Sequence, residues 1–369
     1  MASLEFREGL RDLLSAIAER EAGDPEGYPA RTIGDLYAIG LPQAPLPVAL
    51  GGAGCSLRDG VEAIEILAGT SPAAALLVSM PLGLAGFVAA GATVAPDSHR
   101  AACHTQLERV AADYRAGRIY AACNSEKGAG GALAATQTVA QRRGDAFHVT
   151  GEKILASFGR KAHYFFSTAK VSVDDLPGAG AVEAFFVRTD TDGVRILDDW
   201  DGFGMRPTES HTVQYLEARA EALLGFPNFL ELVEPLPYAF CLFAAISLGC
   251  ARGLLRAIGT PAPRSPAVRL RLSEALMRYE AMRAYLLETA GGWRPRAGPA
   301  FAARVTRAKT YVTQEATKLC AELFALSGGR HYRRGGAAAR YLADSFAGTA
   351  LRPPLPLALD VLMESLALE

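Results

Sequence analysis

The hydrophobic pattern divides the chain into three zones of different periodicity. Apolar side chains recur at helical spacing in residues 1–117, which predicts helices. In residues 118–222 the period changes to two, in stretches rich in β-branched and aromatic residues, which predicts strands. Long helical patterns return in residues 223–369. The sequence therefore predicts an α+β protein with an N-terminal helical domain, a central β-barrel or β-sheet domain and a C-terminal four-helix bundle.

One turn signal refines the central zone. Gly144-Asp145 separates the alternating stretch TQTVAQRR from the stretch AFHV, and a glycine beside an aspartate between two strand patterns is typical of a tight hairpin turn. We therefore expect a β-hairpin around these two residues.

Two long uncharged stretches raise the question of membrane insertion. Residues 66–96 contain Pro72, Pro81 and several glycines, which argues against one continuous apolar helix. Residues 235–251 are shorter than the about 20 apolar residues that a spanning helix needs. The N-terminus lacks the uncharged core of a signal peptide. These observations predict buried core helices, no membrane partner and a cytoplasmic location.

Composition narrows the class of function. The chain has 38 Lys and Arg against 39 Asp and Glu, and such a balance argues against a nucleic-acid partner. The six cysteines and six histidines lack ligand spacing, so we expect neither a metal site nor disulfides. Charge is uneven, however, because residues 264–340 hold 15 Lys or Arg and only five Glu. This basic zone fits either a phosphate-bearing ligand or an acidic partner protein, or it pairs with acids elsewhere.

The glycine-rich stretch from Asn124 to Gly131 is the strongest local candidate for a phosphate site. Closely spaced glycines let backbone amides approach a phosphate. The strand pattern TQTVAQ that follows excludes a Rossmann turn or a P-loop, both of which need a helix there. Taken alone, the cluster fits a tight structural turn better than a ligand site.

Five segments, in order along nearly the whole chain, resemble motifs of the acyl-CoA dehydrogenase superfamily. The similar segments are PVALGGAGCSLRD at Pro47–Asp59, SEKGAG at Ser125–Gly130, GEKILASFG at Gly151–Gly159, Gly204-Met205-Arg206, and Gly328-Gly329. The resemblance implies a flavin, with FAD expected in preference to FMN, between the β-domain and the C-terminal bundle.

The resemblance also implies which residues hold the flavin. Those implied to line the flavin and its phosphates are Cys123, Asn124, Ser125, Gly130 and Gly131. Leu155, Ala156 and Ser157 would follow the isoalloxazine edge, with the Ser157 hydroxyl donating near N5. Gly328 and Gly329 would approach the cofactor of a neighbouring subunit, because such proteins are homodimers or homotetramers. Gly131 and Arg206 are the implied substrate contacts.

The chain departs from the family where the catalytic carboxylate is expected. Family members carry a glutamate just before a Gly-Thr pair, but Ala347 precedes Gly348-Thr349 here. The alternative position of the base falls near Ala239, in a helix without carboxylates. Asp344 and Glu209 are the acids nearest to the motifs, and an ion-pairing role for Asp344 is the stronger interpretation. The loop after Ile258 also lacks the Arg-x-x-Phe-Gly element that holds the adenine of FAD, which keeps FMN open.

Three functions follow from this resemblance. The first is α,β-dehydrogenation of an acyl thioester bound to CoA or to an acyl carrier protein, with an electron-transfer flavoprotein as acceptor. The second is a monooxygenase on the same fold, which uses O₂, needs no α-proton base and is served by a flavin reductase. The third is a non-catalytic subunit that has kept the fold. The sequence favours a flavin-dependent oxidoreductase, with dehydrogenation placed first.

Overall fold

The computed structural model describes residues 2–259, 265–333 and 335–365, so part of the loop after Ile258 lies outside it. The elements before the sheets are α1 Ala2–Gly23, α2 Ala30–Ala38, α3 Leu57–Ala68, α4 Pro72–Val94 and α5 Arg100–Arg115. The strands are β1 Tyr120–Ala122, β2 Val139–Arg143, β3 Ala146–Ala156, β4 Tyr164–Ala169, β5 Glu183–Arg188, β6 Val194–Ile196, β7 His211–Arg219 and β8 Ala222–Leu223. The helices after them are α6 Phe229–Val233, α7 Pro235–Gly259, α8 Pro266–Gly291, α9 Pro299–Leu326, α10 Ala337–Ser345, α11 Ala347–Ala350 and α12 Leu355–Glu364.

Helix α4 corrects one expectation from the sequence. It is a single helix of 23 residues with Pro81 inside it, although the prolines and glycines argued against a continuous helix. Ser71 caps its first turn by accepting from the Ala74 amide, and Pro72 occupies a terminal position that tolerates proline. The helix is buried almost all round, and this packing outweighs the cost of an interior proline.

The strands form two four-stranded sheets. The first has the order β1-β4-β5-β8, with β1 parallel to β4 and the other pairs antiparallel. The second is antiparallel throughout and has the order β2-β3-β7-β6. Arg143 pairs with Ala146 across the turn, which confirms the predicted hairpin. Neither sheet closes within the described residues, so the sheet alternative is correct and the barrel is wrong. The edge strands of two to five residues are too short to continue either ladder to closure.

Helix α7 is the central element of the C-terminal region. It packs against α8, α9 and α10, and on its other side against α3 and α4. The basic zone of the bundle finds acids in the N-terminal helices. Arg283 pairs with Glu62 at 2.6 Å and with Glu65 at 3.1 Å, and Arg340 pairs with Glu21 at 2.8 Å. Pairing with acids elsewhere therefore accounts for part of the uneven charge.

Two helices are long and apolar enough to cross a membrane by length and composition, α4 and α7. In the most apolar window of each, 94% and 78% of the residues are buried inside the protein. Both are core helices of the fold, as expected from the sequence. The change from helix to strand falls between residues 115 and 120, and the change back falls between residues 223 and 229.

Candidate active site

A cavity of about 330 Å³ lies where the two sheets meet α4, α7 and the segment around α11. This volume falls within the range of about 300–1,000 Å³ that is usual for ligand and cofactor sites. The walls are mostly apolar. The large apolar side chains that line the cavity include Leu76, Met80, Phe87, Phe166, Phe240 and Phe243.

Two of the segments predicted to hold a flavin meet at this cavity. Asn124 and Ser125 line it from the loop after β1, and Leu155 and Ser157 line it from the end of β3. A β-bridge joins the two segments, because the Ile154 amide donates to the Ser125 carbonyl oxygen at 2.8 Å. The fold therefore brings these four residues together in one wall.

The other predicted residues of these two segments do not line the cavity. Cys123 and Ala156 are fully buried beside the wall residues. Gly130 and Gly131 lie in the loop after β1, both with positive φ. A Cβ atom on Gly131 would lie 2.3 Å from Pro354 Cδ, so only glycine lets this loop pack against the segment after α11.

Three predicted residues lie away from the cavity. Gly328 and Gly329 form the turn after α9, and a Cβ atom on either would meet nothing within 4 Å. Arg206 instead lines a neighbouring cavity of about 650 Å³. There its guanidinium pairs with Asp201 at 3.0 Å and with Glu26 at 3.4 Å.

A buried ion pair anchors the glycine-rich loop, and sequence reasoning missed it. Lys153 Nζ donates to Glu126 Oε1 at 2.5 Å and to the Thr168 carbonyl oxygen at 2.6 Å. The Glu126 carboxylate also accepts from the amides of Gln137 at 2.5 Å and Thr138 at 3.2 Å. Burial alone would raise the pKa of Glu126, but these hydrogen bonds, that from Lys153 foremost, lower it. The carboxylate is therefore ionised and fixes both ends of the loop.

A chain of three buried hydroxyls runs from the cavity into the protein. Ser157 Oγ lies 2.8 Å from Ser210 Oγ, which lies 2.7 Å from Thr208 Oγ1, and Thr208 donates to the Met205 carbonyl oxygen at 2.8 Å. When Thr208 donates to that carbonyl, Ser210 donates to Thr208 and Ser157 donates to Ser210, so the Ser157 oxygen can accept a hydrogen bond from a ligand. Trp200 Nε1 also donates to the Met205 carbonyl at 3.3 Å, so the chain can reverse and let Ser157 donate without leaving that carbonyl unpaired.

Backbone strain is concentrated around this wall. Leu155 and Met205, which line the cavity, have φ values of 57° and 54°. Phe158 and Glu209, three and four residues further along the chain, have φ values of 70° and 45°. A left-handed conformation is unfavourable for residues with a side chain and persists only where the surrounding structure enforces it. Residues in this conformation are often found at functional sites. Leu155 coincides with a register shift between β3 and β7.

Both positions where the resemblance places a catalytic base are in the cavity wall, and both are alanine. Ala347 lines the cavity from α11 and Ala239 lines it from α7. No aspartate or glutamate is among the described residues that line it. Removal of a proton by a side chain needs an acceptor within hydrogen-bond reach of the carbon acid. The wall offers no such carboxylate.

The two acids nearest to the motifs lie outside this wall. Asp344 is buried in the neighbouring cavity, and its Oδ1 accepts from the Met205 amide at 2.6 Å. Burial raises the pKa of Asp344 to about 6. No cation lies within ion-pair distance of it among the described residues. Glu209 lines neither cavity, and its carboxylate is 3.9 Å from Lys161 Nζ.

Arg352 is the one charged side chain among the described residues of the wall. Its Nη2 donates to the Asn124 carbonyl oxygen at 3.1 Å. Sequence reasoning missed this residue because it follows the Gly348-Thr349 pair at a position to which the resemblance assigns no role.

Comparison with known proteins places this geometry in a family. The model of the acyl-CoA dehydrogenase middle domain matches residues 121–217, and that of the C-terminal domain matches residues 253–351, together just over half of the chain. A protein of Bacillus subtilis named probable acyl-CoA dehydrogenase YngJ is 24% identical over 359 residues, covering 91% of each chain.

Two solved structures show the same fold. Butyryl-CoA dehydrogenase from Megasphaera elsdenii superposes with a TM-score of 0.83 at 19% identity, covering 99% of this chain and 98% of that one. FMN-bound TdsC from Paenibacillus sp. A11-2, a dibenzothiophene monooxygenase, has a TM-score of 0.80 at 20% identity, covering 99% and 97%. The fold therefore hosts both a dehydrogenase and a monooxygenase.

The residues present fit a flavin. The cavity volume lies within the range usual for ligand and cofactor sites, and hydroxyls, an amide side chain and an arginine interrupt its apolar walls. Of the implied flavin contacts, Asn124, Ser125, Leu155 and Ser157 all face one space. This chain belongs to the acyl-CoA dehydrogenase family and is a flavin-dependent oxidoreductase.

Proposed function

We propose that this protein is a flavin-dependent monooxygenase that acts on a compact, mostly apolar substrate. The observation that supports this proposal is the composition of the cavity wall. Ala347 and Ala239 occupy both positions of a base, and no described lining residue carries a carboxylate. Oxygenation requires no side chain that removes an α-proton, whereas dehydrogenation of an acyl thioester of ordinary acidity requires one.

The chain's own residues suit this reaction. When bound and reduced, a flavin supplies the electrons that activate O₂. Apolar side chains such as Phe166, Phe240 and Phe243 exclude water from the space beside it, which protects reactive species from side reactions. The Ser157 hydroxyl can donate or accept a hydrogen bond at the wall, because the chain through Ser210 and Thr208 can reverse while the Met205 carbonyl keeps its bond from Trp200.

Dehydrogenation of an acyl thioester is the second candidate. The similarity to probable acyl-CoA dehydrogenase YngJ over 91% of both chains favours it. A thioester whose α-proton is unusually acidic could react without a strong base in the wall. The partner proteins then differ, with an electron-transfer flavoprotein for dehydrogenation and a flavin reductase for oxygenation.

We also propose an assembly, a form of the flavin and a location for this protein. A homodimer or homotetramer is supported by apolar side chains on the outer face of the bundle: Leu270, Leu276 and Met277 of α8 and Tyr311 of α9 are 47–62% exposed. FAD remains the proposed cofactor, with FMN as the alternative. We also propose a cytoplasmic location.

An anaerobic reduction experiment tests the proposed reaction. The flavin-loaded protein is mixed with butyryl-CoA without oxygen, and the visible flavin absorbance is followed. A second sample is reduced with dithionite, and air and indole, an apolar aromatic probe, are then admitted. We expect no bleaching by butyryl-CoA, and an indole product that carries one additional oxygen atom in mass spectrometry. Bleaching with formation of the enoyl thioester would instead establish dehydrogenation.

Two variants sharpen this test. Ala347→Glu restores a carboxylate at the usual position of the base, and Ala350→Glu places one nearby in the same wall. If the missing base is what prevents dehydrogenation, only Ala347→Glu gains bleaching by butyryl-CoA. Equal behaviour of both variants would contradict the argument from the cavity wall.

A further inference from the structure

The cavity contains a cation whose charge the protein does not neutralise. Arg352 lines the wall, and its one hydrogen bond among the described residues goes from Nη2 to the Asn124 carbonyl oxygen at 3.1 Å. No carboxylate oxygen lies within 4.0 Å of the guanidinium in the described part of the chain. A guanidinium has five N–H donors, so most of its donor capacity is unused. Arg352 is half-buried, and burial lowers the pKa of its guanidinium because the charged form loses hydration.

The nearest acid cannot serve as its partner. Glu126 is the carboxylate whose charge acts on Arg352, but its oxygens accept from Lys153 Nζ at 2.5 Å and from the amides of Gln137 and Thr138. Lys153 already neutralises that charge. An unpaired cation facing an apolar cavity is unfavourable unless a ligand supplies the anion.

The backbone on both sides of Arg352 is held rigidly. Lys309 reaches from α9 and donates through Nζ to the carbonyl oxygens of Leu351 at 2.9 Å and Pro353 at 2.6 Å. Lys309 is 1% exposed. The guanidinium is thus carried by a fixed segment, and a ligand that binds to it pays little for ordering that segment.

A second donor belongs to Asn124, the residue whose backbone carbonyl Arg352 contacts. The Thr168 amide donates to Asn124 Oδ1 at 2.9 Å, which fixes the orientation of the Asn124 side-chain amide. The Nδ2 group of Asn124 has no hydrogen-bond partner among the described residues, and Asn124 lines the cavity. Arg352 and Asn124 are in contact and line the same cavity, so both present unused donors to an anion bound there.

We propose that Arg352 is the anion receptor of this cavity and that the molecule it holds carries one anionic oxygen group on an otherwise apolar body. If the proposed function holds, the substrate is therefore a compact aromatic or aliphatic acid. The phosphate of the flavin cofactor is also an anionic oxygen group that Arg352 could bind, and the experiment below distinguishes the substrate from the cofactor.

Equilibrium binding tests the proposal without turnover. In the substrate arm, flavin-loaded protein is titrated with 2-naphthoate and with the uncharged 2-naphthamide, and the change in flavin absorbance is followed. In the cofactor arm, apoprotein is titrated with FMN and with riboflavin, which lacks the phosphate, and fluorescence quenching is followed. Arg352→Gln keeps a donor for the Asn124 carbonyl and removes the charge, whereas Arg352→Lys keeps the charge.

We expect 2-naphthoate to bind about ten- to a hundredfold more tightly than 2-naphthamide, the range for a hydrogen-bonded charge. Arg352→Gln should abolish that preference and Arg352→Lys should restore part of it. A preference for FMN over riboflavin that Arg352→Gln abolishes would support the receptor and identify the phosphate as its anion. If Arg352→Gln changes neither preference while it still melts like the unsubstituted protein, the proposal is overturned. If the unsubstituted protein gives no oxygenated indole in the reduction experiment but keeps its preference for 2-naphthoate, the proposed function is refuted and the anion receptor is still supported.

Discussion

The buried carboxylate of Asp344 gives a sharp prediction on stability. Burial raises its pKa from the ordinary 3.8 to about 6, and the hydrogen bond from the Met205 amide and the attraction of Arg340 oppose this only in part. Between these two pKa values the native protein binds a proton that the unfolded chain releases. The contribution of this group to stability is therefore fully present below pH ~4 and is lost as the pH rises through about 6.

We expect Asp344→Asn to be more stable than the unsubstituted protein above pH 6. A difference of about two pKa units corresponds to about 3 kcal/mol in the free energy of unfolding. With the average unfolding entropy per residue, that is about 4 °C in the melting temperature of a chain of 369 residues. Asparagine has nearly the same shape, and its carbonyl oxygen can accept from the Met205 amide as Oδ1 does now.

Thermal melting followed by circular dichroism measures this effect. The apoprotein is used, because a bound flavin would shift the melting temperature by mass action. Asp344→Asn should raise the melting temperature by about 4 °C at pH 8 and by about half as much at pH 5. Asp145→Asn is the control, since the Asp145 side chain is 93% exposed and should give little difference at either pH.

Two results would refute this reasoning. A variant that is less stable than the unsubstituted protein at pH 8 would mean that the charge of Asp344 is needed, as it would be if Arg340 paired with it directly. A gain of the same size at pH 5 and at pH 8 would mean that the effect comes from packing, because a shifted pKa must produce a dependence on pH.

Three further predictions concern the residues that hold the cavity together. Glu126→Gln leaves the Lys153 ammonium buried without its counter-charge and should cost about 3–5 kcal/mol in chemical denaturation, a loss that an added Lys153→Met should largely recover. Burial lowers the pKa of Lys309 to about 7, so above this pH the unfolded chain holds a proton that the native protein has released, and stability should rise with pH. Lys309→Met should flatten this rise when melting temperatures are measured between pH 7 and 9.5. Ser210→Ala interrupts the hydroxyl chain behind Ser157 and should shift the absorbance maximum and midpoint potential of the bound flavin, whereas unchanged values would show that the chain does not sense the flavin.

The architecture could be predicted because helices, strands and tight turns each leave a pattern within a short stretch of sequence. The alternation around Gly144-Asp145 gave the hairpin, and the change of period gave the order of helices, sheets and helices. Pro81 was misread for the same reason. A proline is unfavourable for a helix considered alone, but α4 is surrounded by other elements, and tertiary packing decided its conformation.

The candidate site was predictable only where a motif is contiguous. Asn124, Ser125, Leu155 and Ser157 belong to two short motifs, and the structure brings them to one wall. Lys309 holds the segment of Arg352 through the Leu351 carbonyl oxygen, 42 residues away along the chain, and no local pattern in the sequence predicts this contact. Ser210 reaches Ser157 across 53 residues of chain. Such contacts arise from long-range packing and carry no periodic signal.

Helix α4 has a consequence for how this protein can change its choice of substrate. Gly83 lies on the cavity side of the helix, where an added methyl group would meet Phe87 at 3.4 Å and Leu242 at 3.6 Å, which is ordinary contact. At Gly86 the same group would come within 2.5 Å of the Tyr238 ring. A single alanine at position 83 would therefore shorten the binding space while also favouring the helix by roughly 1 kcal/mol. Substrate length can be adjusted at this one turn without loosening the protein's core.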